Sequence, residues 1–424
     1  MDGLSLQVGK YDIQQMLGQG ATGTVYLAID TFSGREVALK TIEPEVFRDP
    51  EFGTVHRSAF LNEASLAGKI RHPHIVAILD AVVEENSGHI AMEVVRGGDL
   101  SQFVTPDKLL PVADALQIVF KCCGALDYAF REGIVHRDIK PANIMVARGT
   151  EPKISDFGAA FLKRGEAAQT AAMGSPYYMS PEQVEGKELT FHSDMFSLGV
   201  VLYELLTGQR PFTGASLEEL VQKILNQDPA PPSTLRQGVP KQVDALVLTA
   251  LMKKPPYRHA TWAEFADGLS KAVGLVIEPG AIADTEKFTA LKKVEQLSAL
   301  PDAELWEIVN AGAWSRIPAG TLLLQEGEPG GSFYFLASGQ AKVTLGAKLL
   351  NLVNESEFVG EMGWIHGAEG ARHASVVAMT DMLVAEYAPE ALAEISVGAQ
   401  LHLTRAVTRN VVDRLQMANL RLAR

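Results

Sequence analysis

The chain has 424 residues, 47% hydrophobic and 21% charged, enough for two or three domains that each bury a core. A net charge of −13 and a pI near 5.3 argue against a nucleic-acid partner. No apolar run reaches the roughly 18 residues of a membrane span, and the N-terminal "MDGLSLQVGK" lacks a signal-peptide apolar core, so a soluble, cytoplasmic protein is expected.

In chain order, the first ~100 residues favour short alternating segments. These are "YDIQQML", "GTVYLAID", "EVALKTI", "IVAILDAVV" and "HIAMEVV", interrupted by one helical pattern, "RSAFLNEASLAGKI". From Pro111 to Val273 the 3.6-residue period takes over, as in "PVADALQIVFKCCGALDYAFREG" and "SDMFSLGVVLYELLTG", the latter closed by Gly208. A small β-rich lobe followed by a larger helical lobe is the expectation. The adjacent Cys122 and Cys123 read as buried small hydrophobes rather than a redox or metal pair, which suits a reducing compartment. "VGLVIEPGAIADTEK", residues 273–287, reads as a linker. Beyond it come two helical patterns, "TEKFTALKKVEQLSAL" and "DAELWEIVNAG". Short strands broken by Gly pairs then run from Ala319 to Ala385, as in a small β-barrel or roll. The tail, "QLHLTRAVTRNVVDRLQMANLRLAR", is a long amphipathic helix. Its Val411, Leu415, Ala418 and Leu422 could form a homodimer seam, a lid over a ligand, or a face docked on its own domain.

"LGQGATGTVYLA" spaces Gly18, Gly20 and Gly23 as G-x-G-x-x-G, where missing Cβ atoms let backbone N–H groups approach phosphate. A strand follows rather than a helix, which disfavours a dinucleotide fold. "REVALK" ends at Lys40, and Glu63 on the following helix could pair with it. "IVHRDIKPANIMV" carries His136, Arg137, Asp138, Lys140 and Asn143, and "KISDFGAA" adds Asp156. Asp138 could accept a hydroxyl proton, while Asn143 and Asp156 offer hard oxygens to Mg²⁺.

Together these residues resemble the protein-kinase family over residues 11–272. The resemblance implies a two-lobed α+β fold and transfer of phosphate from ATP to protein Ser or Thr, since Lys140 two residues after Asp138 is similar to the Ser/Thr-specific group. By the same resemblance, Gly18, Gly20 and Gly23 would cover the phosphates, with Val25 and Ala38 at the adenine. Lys40, oriented by Glu63, would hold the α/β-phosphates. Met92 would be the gatekeeper, and the backbone from Glu93 to Val95 would face the adenine edge. Asp138 would be the catalytic base, Lys140 a γ-phosphate contact, and Asn143 and Asp156 the Mg²⁺ ligands. Glu182 would pair with Arg258, Ser180 standing where the family has Ala, and Asp194 would buttress the catalytic loop. Ser175 would lie beside the acceptor hydroxyl. Thr170, the only threonine between Asp156 and Glu182, is either an autophosphorylation site read by Arg137 or a plain polar loop residue.

The stretch "FVGEMGWIHGAEGARHASV" follows a run of strands and Gly turns. Over residues 288–424 the chain resembles the cyclic-nucleotide-binding domain, a β-roll with flanking helices. The resemblance implies that Gly360 and Glu361 grip a ribose 2′-hydroxyl and that Arg372 pairs with the cyclic phosphate. Ala374 and Ser375 would complete the cradle. Val359 stands where Phe often packs, and His373 departs from the expected small or hydroxyl residue, which leaves cAMP or cGMP open. The expected protein is thus a kinase that senses a cyclic nucleotide. Its rivals are a kinase with a ligand-free docking or dimerisation module and an ATP-binding scaffold without transfer.

Overall fold

The computed structural model describes residues 7–20, 23–42, 48, 53–66, 69–84, 87–147, 149–159, 176–276, 282–366 and 371–422. The chain divides into two compact units, Met1–Val276 and Ile277–Arg424.

The first unit opens with six strands: β1 (Gln7–Val8), β2 (Tyr11–Gly20), β3 (Gly23–Asp30), β4 (Glu36–Ile42), β5 (Ile78–Val83) and β6 (Gly88–Met92). They form one antiparallel sheet in the order β1-β2-β3-β4-β6-β5. Alternation along β4 divides its side chains between two buried faces. Val37 and Leu39 pack with Tyr11, Ala28 and Ala91, whereas Ala38 and Ile42 pack with Phe60, Ile90 and Met92. Lys40 therefore shares the face of Ala38 and Ile42. Helix α1 (Gly53–Ser65) lies against that face through Phe60, and Glu63, three residues on, shares the same side of the helix.

Two expected strands are shorter than their apolar runs. "IVAILDAVV" is strand only from Ile78, because the Val76 N–H bonds the Ile154 carbonyl and the Ile154 N–H bonds that of His74. "HIAMEVV" stops at Met92, where the Glu93 N–H turns to the Ala77 carbonyl.

The helical lobe is built on α2 (Val112–Arg131), which buries both cysteines completely. The hairpin β7 (Ile144–Val146) and β8 (Pro152–Ile154) comes next, then α3 (Pro181–Val184), α4 (Phe191–Thr207), α5 (Leu217–Asn226), α6 (Lys241–Ala250) and α7 (Trp262–Val273). Helix α4 starts on a Thr190–Ser193 capping box and ends, as expected, on Gly208 at φ +70°. Every residue from Ser193 to Thr207 is buried, so α4 is the axis of this lobe.

In the second unit α8 (Asp284–Lys292) begins inside the stretch read as linker. The single helical pattern expected after it divides in two: Val294 adopts φ −71°, ψ 118° and buries its side chain, and α9 (Glu295–Ser298) starts afresh. Helix α10 (Asp302–Ala311) leads into β9 (Ala313–Ile317), which precedes the expected first strand. The remaining strands are β10 (Leu322–Leu324), β11 (Phe333–Ser338), β12 (Ala341–Leu345), β13 (Lys348–Val353), β14 (Phe358–Val359), β15 (Ser375–Ala378) and β16 (Met382–Tyr387). They form two four-stranded sheets, β10-β15-β12-β13 and β14-β11-β16-β9, the β-roll expected from the Gly-punctuated strands. Val359 is buried in its core, so the smaller side chain is accommodated where Phe was anticipated. Helix α11 (Glu361–His366) follows β14, and the tail forms α12 (Val397–Leu422). The N-terminal part of the tail docks on its own unit: α12 packs on α9 and α10 through Ala399, Leu403, Ala406 and Val407, whereas Leu415 of the expected seam is 59% exposed.

Candidate active site and nucleotide pocket

In the first unit the centre is a buried cation between two carboxylates. Lys40 Nζ lies 2.9 Å from Glu63 Oε2 and also contacts Asp156 Oδ1. Burial alone would pull the Lys40 ammonium down, but the two carboxylates outweigh it and hold the group above its ordinary value. The Asp156 carboxyl is pulled below its usual range, chiefly by the Lys40 charge, whereas burial raises that of Glu63. The residues come from β4, α1 and the segment after β8, so folding brings together positions 40, 63 and 156. Asp156 sits at φ +61°, a left-handed backbone that a non-glycine residue adopts only under constraint.

The residues of the expected catalytic loop are held by a second set of bonds. Lys140 Nζ donates to Asp138 Oδ2 at 2.8 Å, and Asn143 Nδ2 donates to the Asp138 carbonyl at 2.8 Å and to Oδ2 at 3.1 Å. With its amide nitrogen turned toward Asp138, Asn143 keeps Oδ1 for another partner. Beneath them, Asp194 accepts the backbone N–H groups of His136 and Arg137, both at 2.7 Å. Arg137 stands at φ +69°, and its carbonyl accepts from Gln183 Nε2 at 2.7 Å. His136 accepts the Asp138 N–H through Nδ1 and contacts the Ser155 carbonyl through Nε2, so the ring takes the Nε2–H tautomer. Glu182 and Arg258 pair through two bonds of 2.7 and 2.9 Å, both side chains buried, and Ser193 adds a bond to Glu182. Ser180 supplies the N-cap of α3, a task an alanine could not perform.

Where the resemblance would put adenine, Val25, Ala38 and Met92 share one apolar cluster. Glu93 is more committed than the sequence suggested. Its N–H bonds the Ala77 carbonyl, and its carboxylate accepts from the Ala77 N–H and from Lys153 Nζ, each at 2.8 Å. Only the carbonyl of Glu93 and the half-buried stretch to Val95 are left to face a ligand. Neither Lys153 nor this use of the Glu93 carboxylate is legible in the sequence, because the partners stand 60 and 16 positions away.

The glycines differ in their reasons. Gly23 has φ +142°, and a Cβ there would sit 2.0 Å from the Thr41 carbonyl oxygen, so the fold itself demands glycine. A Cβ on Gly18 would meet nothing within 4 Å. Gly20 pairs with Gly23 in the β2–β3 ladder. Thr170 and Ser175 lie outside the described residues.

Would these residues suit Mg²⁺? Among the described residues no group of three or more His, Cys, Asp or Glu side chains could hold a metal. Asn143 Oδ1 and the Asp156 carboxylate are hard oxygen donors, of the kind that would suit a cation taking its other ligands from phosphate and water, as Mg²⁺ does.

The second unit also buries a cation. Arg372 Nη1 donates to the carbonyls of Ser332 (2.7 Å) and Gly360 (3.0 Å), and Nη2 to Ser332 Oγ (3.2 Å). Glycines make the space: a Cβ on Gly330 or Gly363 would come within 2.7 Å of the guanidinium. The hydroxyl beside Arg372 is thus that of Ser332. The expected Ser375 Oγ accepts the Glu326 N–H at 3.0 Å, and Ala374 is half-buried in the bend before β15. Gly360, at φ +85°, turns the chain so that Glu361 opens α11. The Glu361 side chain accepts from Arg414 Nη1 of α12 at 3.0 Å. Sequence spacing points neither to Ser332 and Gly330 in the stretch before β11, nor to Gly363 within α11, nor to Arg414.

Residues 11–267 match the protein kinase domain model, and residues 314–396 match the cyclic nucleotide-binding domain model. Among curated proteins the chain is similar to the serine/threonine-protein kinase PknB of Mycobacterium leprae, 40% identical over 262 residues that make up 60% of this chain and 42% of that protein. PknB of Mycolicibacterium smegmatis is 36% identical over 301 residues, 69% of this chain and 47% of that protein. PknB of Mycobacterium tuberculosis is 38% identical over 263 residues, 60% of this chain and 41% of that protein. The chain spans less than half the length of these relatives. No helix among the described residues is long and apolar enough to cross a membrane. With the kinase model covering more than half of its length, the chain belongs to the protein kinase family and carries a cyclic nucleotide-binding domain in its second unit.

Proposed function

We propose that this chain is an ATP-dependent serine/threonine protein kinase whose activity answers to a cyclic nucleotide held by its second unit. What carries the kinase reading is the pairing of Lys40 with both Glu63 and Asp156 beside the Asp138–Lys140–Asn143 cluster. Lys40 neutralises phosphate charge, and Glu63 fixes where its ammonium points. Asn143 and Asp156 would hold Mg²⁺, which shields the charge on the transferred group. Asp138 accepts the proton of the substrate hydroxyl as its oxygen bonds the γ-phosphorus, while the bond to the β-phosphate oxygen breaks and ADP leaves. Lys140 is placed to offset negative charge between Asp138 and the incoming phosphoryl group. Asp138→Asn keeps the shape and removes the base, so transfer to Ser/Thr peptides is expected to fall by roughly 10²–10⁴-fold. Unchanged transfer would overturn the assignment, and no transfer by the wild type with ATP and Mg²⁺ would favour an ATP-binding scaffold.

The regulatory half is supported by Gly360, Glu361 and Arg372 gathered beside Ser332 at the end of β14. A second reading, that this unit is a ligand-free docking or dimerisation module, is favoured by one observation: Arg372 and Glu361 are both buried and already partnered within the chain. Calorimetry of the full chain with cAMP and with cGMP separates the readings. Heat with either supports the sensor, and none with both supports the module.

A further inference from the structure

The group that would grip a sugar hydroxyl is already covered. Glu361 is only 6% exposed, and its Oε1 is held by Arg414 Nη1 at 3.0 Å. The same guanidinium donates through Nη2 to the Phe358 carbonyl, on the strand that leads into the loop, and lies 3.5 Å from Glu357. Its Nε–H is buried with no hydrogen-bond partner. Arg414 thus reaches two acceptors of the loop while stranding one of its own donors, a contact short of full satisfaction.

The helix that brings Arg414 here is anchored unevenly. Toward its N-terminus, α12 buries Ala399, Leu403, Ala406 and Val407, and the Ser396 N–H just before it bonds Glu307. Past Val407 no described side chain of α12 is buried: Val412 is 37% and Leu415 59% exposed. Few apolar contacts hold that part of the helix, so its position depends on the polar bonds of Arg414.

We propose that Arg414 is a positioning residue of the nucleotide pocket that competes with the ligand's ribose hydroxyl for Glu361. A cyclic nucleotide must then displace it and free the last turns of α12. This rests on the reading of Gly360, Glu361, Arg372 and Ser375 as part of a cyclic-nucleotide pocket. The contact with Glu361 stabilises the ligand-free arrangement and is lost on binding, so it lowers affinity and reports occupancy through the helix.

The test uses the full chain. Binding of cAMP, cGMP and 2′-deoxy-cAMP is measured by calorimetry for the wild type and for Arg414→Gln, alongside backbone hydrogen exchange over residues 405–416. The variant should bind at least one of the ribonucleotides more tightly, by about fivefold or more, the low end of ordinary coupling. The deoxy analogue, with no hydroxyl to offer Glu361, should show no such gain. Exchange over 405–416 should quicken in the wild type on adding nucleotide and in the ligand-free variant. Equal or weaker ribonucleotide binding by the variant overturns the proposal, as does an equal gain with the deoxy analogue. If neither protein binds any nucleotide, the pocket reading fails, and exchange decides the helix clamp: faster exchange in the variant supports it, and unchanged exchange overturns it. Glu361→Gln, which weakens the pair from the other side, should also speed exchange if Arg414→Gln does not fold.

Discussion

Each unit buries a cation, and the two cations are satisfied differently. Lys40 is held by two carboxylates, one from a helix and one from the segment after a distant hairpin, and the neighbouring Asp138 and Asn143 keep capacity for a substrate. Arg372 is held by two backbone carbonyls and a hydroxyl of its own sheet ends, and the acid nearby is held by an arginine from the tail. The first site is assembled with charge available for a ligand. The second is closed on itself.

Removing each cation should sharpen this contrast most. Lys40→Met is expected to lower phosphate transfer by roughly 10²–10³-fold, the scale of losing a preorganised electrostatic partner. A variant with more than a tenth of wild-type turnover would mean that Lys40 serves the fold and not the chemistry. Arg372→Met should instead be felt in stability: with the carbonyls of Ser332 and Gly360 deprived of a donor, the second unit should lose about 1–3 kcal/mol in denaturant unfolding. An unchanged midpoint would mean that water satisfies those carbonyls and that the pocket is more open than described.

A smaller effect concerns pH and touches only the first unit. Burial, aided by the Lys153 charge, drives His72 down to about 3, and burial also lowers His74. A histidine kept neutral in the fold binds its proton more readily when unfolded, so the fold loses stability as pH falls below the ordinary value near 6.5. By pH 5.5 the loss is about 1 kcal/mol for each histidine. Hydrogen exchange of the first unit at pH 7.5 and 5.5 checks this, and His72→Asn should flatten the dependence. Greater stability at pH 5.5 would show that these rings gain a partner on protonation.

The smallest expected effect is at the glycine turn. Gly18→Ala should leave unfolding unchanged, since an added Cβ meets nothing, while raising the KM for ATP several-fold, because close approach to phosphate is what the missing Cβ allows. A destabilised Gly18→Ala with normal KM would reverse that assignment.

The elements of the first unit were legible because local patterns and tertiary needs agree. The β4 run "EVALKTI" is strand over its full length, and Gly208 ends α4 where the period ended. Legibility failed where a backbone group found a partner far away. Glu93 leaves the β6 pattern for Ala77, and Val294 breaks an otherwise continuous helical pattern to enter the core. In the second unit Ser332 was not legible for a similar reason: which hydroxyl reaches the guanidinium depends on strand register.

What the sequence by itself determined is which charged and glycine residues lie close together along short segments, such as Asp138, Lys140 and Asn143 on one loop. Such residues are neighbours whatever else the chain does, so spacing suffices to read them. Only the tertiary structure decided which distant residues complete each site. Lys153 on Glu93 and Arg414 on Glu361 are separated by 60 and 53 positions, and no local rule links them. Their meeting depends on how a hairpin and a terminal helix pack, and that is set by burial across the whole of each unit.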